Sequence, residues 1–231
     1  IRAKNIMLLI ASLLFYGYGE PVYVLLMIFS AFANYLFALA VGHMEQKKKI
    51  ILAFAVILNL GLLVVYKYAG FLVSSINGMF GIGIPVPDIR LPIGISFFTF
   101  QAMSYVIDVY RKVNPCQKNF GKVLLYISFF PQLIAGPIVK YHDIEREIGE
   151  RKQTLPEVAE GIRQFIAGLS KKVLIANTMA VAADTLFASP EGSINIAVAW
   201  IGAVSYMLQI YFDFSGYSDM ALGLGKMFGF H

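Results

Sequence analysis

The chain has 231 residues, and only 14% of them are Asp, Glu, Lys or Arg. A soluble domain carries about a quarter. That shortage excludes an ordinary water-exposed surface. The single cysteine, Cys116, excludes an internal disulfide and any metal site built from cysteine alone. The three histidines, His43, His142 and His231, are too scattered to suggest a metal centre. His43, at the end of an apolar run, reads as interfacial. No serine lies in a Gly-x-Ser-x-Gly elbow. The run from Gly223 to Gly229 is rich in glycine, but no strand precedes it and its third glycine is misplaced. Lys226 is not followed by Ser or Thr, so neither a dinucleotide fingerprint nor a phosphate loop is present. Tight helix packing or a turn is the reading left. No internal repeat marks an inverted-repeat transporter. The first apolar segment lacks a small-residue cleavage site and runs into a second one, which argues against a cleavable signal peptide.

What the chain has in quantity is apolar sequence, at 58% of residues and a mean hydropathy of +0.68. The expected fold class is all-α: a polytopic transmembrane helical bundle forming one membrane domain over residues 1–231. About 20 apolar residues cross a bilayer. Apolar segments fall at residues 6–18, 22–41, 50–66, 93–110, 123–139, 161–187 and 194–214. Lys67 interrupts a further apolar stretch that ends at Phe80, and Tyr66 and Tyr68 flank it as interfacial anchors. Basic residues gather at Lys47, Lys48 and Lys49 and again at Arg111, Lys112, Lys118 and Lys122. The positive-inside rule puts both groups in the cytoplasm. The net charge of +5 therefore fits basic loops rather than nucleic-acid binding.

Polar residues inside the apolar segments follow a pattern. Gly94, Gln101, Ser104 and Asp108 are spaced by seven, three and four, so a helix puts them on one face. Ser205, Gln209, Asp213 and Gly216 repeat by four, four and three. Facing each other, two such stripes would line a polar cavity; hydrogen bonding between helices is the other reading. Residues 123–139 carry Pro131, Gln132, Gly136 and Pro137. These predict a broken or re-entrant helix whose freed carbonyls need protein or water. Ile144 and Ile148 recur among charges and suggest an amphipathic surface helix. Thr154 and Glu157 form a capping-box pattern, with Pro156 early in the helix that follows. Residues 189–193 read as a turn.

Four stretches together resemble the membrane-bound O-acyltransferase (MBOAT) family. They are LPIGISFFTFQAMSYVIDVYR at 91–111, SFFPQLIAGPIVKY at 128–141, GLSKKVLIAN at 168–177 and YFDFSGYSDMALGLGKMFGF at 211–230. The match is best in the bacterial branch that acetylates alginate and other envelope polymers. The resemblance implies a multi-pass protein of the cell membrane, with a tunnel from the cytoplasmic to the outer face. It implies transfer of an acyl group, here acetyl, from a cytoplasmic donor to hydroxyls of an exported polysaccharide. No bound cofactor is implied, and acetyl coenzyme A is the candidate donor. The implied partners are membrane lipid, the polysaccharide acceptor and a periplasmic or extracellular acyltransferase protein; nucleic acid is not among them.

Family members place a catalytic histidine in a Trp-His-Gly context downstream of the YFDFSGYSD motif. Trp200 is followed by Ile201, and His231 is the last residue. The resemblance therefore puts the catalytic histidine beyond residue 231, assigns no catalytic residue within the chain, and leaves this piece inactive alone. The start at Ile1, without Met, and the abrupt stop after a polar-flanked motif fit a fragment of a longer protein. Candidates for the tunnel wall are Gln101, Ser104, Asp108, Gln132, Gly136, Asp213, Ser215, Tyr217 and Asp219. Lys171 and Lys172 are candidates to meet a donor phosphate, or else anchor a helix at the headgroups. A secondary transporter or channel is the alternative, because broken helices and intramembrane acids suit it equally.

Overall fold

A computed structural model describes residues 2–133, 136, 139–190 and 195–230. All the regular structure in them is helical. Pro137 and His231, and residues 191–193 of the expected turn, lie outside the described residues. Four helices are long and apolar enough to cross a membrane, at Tyr23–His43, Lys48–Phe80, Leu155–Phe187 and Ile196–Met227. The chain divides into two compact units, residues 1–134 with 138–150, and residues 151–231 with 135–137.

In the first unit, α1 (Arg2–Gly19) and α2 (Tyr23–His43) are joined by a tight turn. The turn carries Glu20, a buried carboxylate that accepts from Arg90 Nη2 at 3.2 Å and from the Ile93 amide at 3.4 Å. The helix α3 (Lys48–Leu63) returns beside α2. Two buried amides clasp them: Asn34 Nδ2 donates to Asn59 Oδ1 at 3.0 Å, and Asn59 Nδ2 donates back to Asn34 Oδ1 at 2.7 Å. Apolar burial gives little drive to join helices in lipid, so such pairs and close packing hold them. A π-turn, Val64–Tyr68, carries α3 without a break into α4 (Ala69–Phe80). The 33 residues from Lys48 to Phe80 extend about 50 Å, beyond a hydrocarbon core of about 30 Å. That length brings Lys67 to the region of an interface, where its ammonium lies 5.6 Å from the Tyr68 ring centroid.

After an extended loop, α5 (Ile95–Tyr110) begins. Gly94 is its N-cap, with φ +74°, a left-handed conformation open to glycine at no steric cost. The expected polar stripe therefore starts at Gln101 rather than at Gly94: the spacing was right, but the helix opens one residue later. The predicted break is present. The helix α6 (Phe120–Ser128) stops at Phe129, whose ψ is 108°, and α7 (Phe130–Leu133) is a single turn. Pro131 has no amide hydrogen with which to continue α6. The helix α8 (Tyr141–Gly149) is amphipathic as its spacing predicts, with Tyr141, Ile144 and Ile148 buried. Burial pushes the Tyr141 phenol up to about 12. It stays neutral and accepts from Gln117 Nε2 at 2.9 Å.

The second unit is a three-helix arrangement. The helix α9 (Leu155–Ser170) starts at the predicted capping box. The Glu157 amide donates to Thr154 Oγ1 at 3.4 Å, and the Thr154 amide donates to Glu157 Oε2 at 2.9 Å. A second π-turn, Lys171–Ala176, leads into α10 (Asn177–Phe187). The helix α11 (Ile196–Met227) lies against all three segments. It runs past the expected end at residue 214 and takes up the YFDFSGYSD motif and the glycine-rich run as far as Met227, with Gly229 in the turn that follows at φ +80°. The expected tight packing is there. A Cβ on Gly161 would meet the Gly223 carbonyl oxygen at 2.6 Å, and one on Gly168 would meet that of Gly216 at 2.5 Å. Two glycines seven apart on each helix bring the backbones together, the small-residue contact common in membrane helices.

Candidate functional site

The break at Phe129 builds the first polar cluster. In a continuous helix the Tyr126 carbonyl would accept from the amide of residue 130. That amide instead donates to Ser12 Oγ at 3.3 Å. The freed carbonyl accepts from Gln101 Nε2 at 3.2 Å and from Gln132 Nε2 at 2.8 Å. Both glutamines are buried. Their amides thus meet the need that the break at Phe129 creates, which is how non-helical backbone is tolerated at membrane depth. Ser104 Oγ donates to the Gln101 carbonyl at 2.8 Å, and Tyr126 Oη donates to the Val139 carbonyl at 2.9 Å.

One turn further along α5, Asp108 is 9% exposed, and its Oδ2 has no hydrogen-bond partner. The nearest base is His142 of α8, whose Nδ1 stands 3.6 Å from that oxygen. The Nε2 of the same ring is 3.0 Å from Asp143 Oδ1. The sequence reading set His142 aside as one of three scattered histidines. Its position beside Asp108 follows from α8 folding over α5, which no local spacing encodes. Gly136 is buried.

The second cluster lies within the second unit. Lys171 Nζ donates to Asp219 Oδ2 at 2.5 Å and to Ser215 Oγ at 3.2 Å. Lys172 Nζ donates to Asp213 Oδ1. The two lysines straddle Gly216, where the helices approach most closely. A lone charge at the centre of a membrane helix costs about 2.5–3.5 kcal/mol on insertion scales. Each acid of α11 instead has an ammonium from the π-turn. Tyr217 is half-buried, and Gln209 Oε1 is buried without a hydrogen-bond partner. The α5 stripe and the α11 stripe belong to different units, and each meets partners inside its own. No group of three or more metal-ligating side chains occurs among the described residues.

Long apolar helices, π-turns, a proline-broken segment and charges paired inside the spans define a multi-pass integral membrane protein. Residues 24–231 match the family model of the membrane-bound O-acyltransferases, and the chain belongs to that family. It is 42% identical over 99% of its length to the protein named probable alginate O-acetylase AlgI of Pseudomonas syringae pv. tomato, of which it covers 45%. It is 33% identical over 96% of its length to a peptidoglycan O-acetyltransferase of Helicobacter pylori, covering 47% of it. A teichoic acid D-alanyltransferase of Bacillus subtilis is 26% identical over 59% of the chain, which covers 35% of that relative. The chain spans less than half the length of each of these relatives.

Proposed function

We propose that the whole protein is a membrane O-acetyltransferase that moves an acetyl group from a cytoplasmic donor to hydroxyls of an exported or envelope polysaccharide. The observation that carries this reading is the 42% identity over 99% of the chain to an alginate O-acetylase. The match to a peptidoglycan O-acetyltransferase agrees on the chemistry and leaves the polymer open between glycans. Acetyl coenzyme A is the donor in this reading, and a periplasmic or extracellular protein is a further partner.

Attack by a sugar hydroxyl on a thioester needs a base for its proton and donors for the developing oxyanion. We place that base in the part of the relatives that this chain does not span. Two of the chain's own histidines lie beside hydrogen-bonding groups. His43 Nδ1 is bonded to the Leu39 carbonyl at 2.7 Å, and His142 stands between two carboxylates. The residues proposed as wall rather than catalyst are then Gln101, Ser104, Asp108 and Gln132 within the first unit, and Gly136, Asp213, Ser215, Tyr217 and Asp219 within the second. Lys171 and Lys172 each keep at least one ammonium hydrogen beyond these bonds, so a donor phosphate would meet a lysine already paired with a carboxylate.

The test is complementation. The complete gene is expressed in a polysaccharide-producing strain that lacks its own acetylase, and ester-linked acetate on the polymer is measured by NMR. Restored acetylation is the expected result. A protein that reaches the membrane at normal levels while acetate stays absent from every envelope glycan overturns the proposal.

A further inference from the structure

We propose that His142 is a proton-operated latch holding the surface helix α8 against α5. The feature that points to it is the unsatisfied Asp108 Oδ2, buried beside a ring nitrogen that is close to it but beyond hydrogen-bonding distance. A buried carboxylate oxygen without a donor is costly. A neutral imidazole has one N–H. It can donate to Asp143 or to Asp108, and one carboxylate is left without it. The imidazolium has two, and it satisfies Asp143 through Nε2 and Asp108 through Nδ1 after a shift of a fraction of an ångström. Charge-assisted bonds of this kind are about twice as strong as neutral ones.

Groups of both signs lie around the ring. From α5 comes Asp108, and from α8 itself come Asp143 and Glu145. The rings of Tyr105 and Tyr126 pack on that of Tyr141, with centroids 4.9 and 5.2 Å from it. Among the described residues neither aspartate has a lysine or arginine partner. The positive end of the α8 dipole, Lys140 and Arg146, which lies four residues on along the same helix, oppose the charge, and Asp143 accepts the Lys140 amide at 3.2 Å. The ring is 37% exposed, so protons reach it from water. The remaining anchors of α8, the buried Tyr141, Ile144 and Ile148, do not titrate near neutrality. Docking of α8 is therefore tightest when His142 is charged and looser when it is neutral.

The experiment is hydrogen exchange of the complete protein in lipid nanodiscs, read at the amides of residues 141–149 and corrected for intrinsic rates. In the native protein, protection falls about tenfold from about pH 5.5 to about pH 8. His142→Arg keeps the acid level of protection at both pH values, and His142→Gln shows the alkaline level at both. If the glutamine variant does not fold, Asp108→Asn supplies the comparison and flattens the same profile. Protection independent of pH in the native protein, or pH dependence that survives in His142→Gln or Asp108→Asn, overturns the proposal. The readout is exchange, so the result does not depend on whether the protein acetylates a polymer.

Discussion

At the scale of single residues, two contacts outside the candidate site give direct tests. Glu45 accepts from Lys112 and Lys48, each at 2.6 Å. Its bonds first to Lys112 and then to Lys48 hold the carboxylate down to about 2. A carboxylate lowered on folding adds stability above its unfolded pKa and loses it as pH falls towards the folded value. The Glu45 carboxyl should therefore remain ionised at about pH 4, where a free glutamate is largely protonated, and carbon NMR of labelled glutamate reads this directly. The second contact is the Asn34–Asn59 clasp. Asn34→Ala leaves the other buried amide with fewer partners and should destabilise by about 1–2 kcal/mol. The double variant with Asn59→Ala should lose less than the sum of the two singles. Thermal unfolding in detergent measures both.

At the scale of elements, the α9–α11 contact predicts opposite outcomes for one chemical change. Gly168→Ala places a methyl 2.5 Å from the Gly216 carbonyl oxygen, and backbone cannot yield as a side chain can. It should destabilise by about 1–3 kcal/mol. Gly202→Ala meets its nearest atom, Leu186 Cβ, at 3.5 Å. That is ordinary contact, and with a better helix former the variant should be neutral or stabilised by up to about 1 kcal/mol. Unfolding of the two variants in the same detergent compares them. Features of this scale were legible in the sequence when their cause was local. Thr154 with Glu157, Pro131 as a breaker and the Gln101–Ser104–Asp108 face all follow from backbone geometry within a few residues. The π-turns at Val64–Tyr68 and Lys171–Ala176 were not legible, because nothing in VVYKY or KKVLIA separates an i→i+5 turn from an α-helical one. The end of α11 was misread because Asp213, Ser215 and Asp219 look like the close of a span until their partners are known.

At the scale of the whole molecule, family, helical class and multi-pass character were legible from four ordered motifs and the hydropathy. Tertiary pairings were not. Lys171 and Lys172 were read as phosphate contacts or headgroup anchors, and their carboxylate partners became visible only with α11 folded against the π-turn. The same pairing predicts how function responds. In the complete protein, Asp213→Asn should lower polymer acetylation far more than it lowers the amount of protein in the membrane. Immunoblotting beside acetate measurement separates the two. Equal loss of both would make Asp213 a purely structural hydrogen-bonding residue.

The pairing of Lys171 and Lys172 with Asp219 and Asp213 also constrains how the chain enters the bilayer. Two ammonium groups in one apolar helix and two carboxylates in the next make each a poor passenger alone. Brought in together, the two segments present no net charge at these four positions. The translocation machinery therefore has reason to hold the first segment until the second emerges, and to release both to lipid as one hairpin. Insertion as one hairpin would keep these four charges paired throughout.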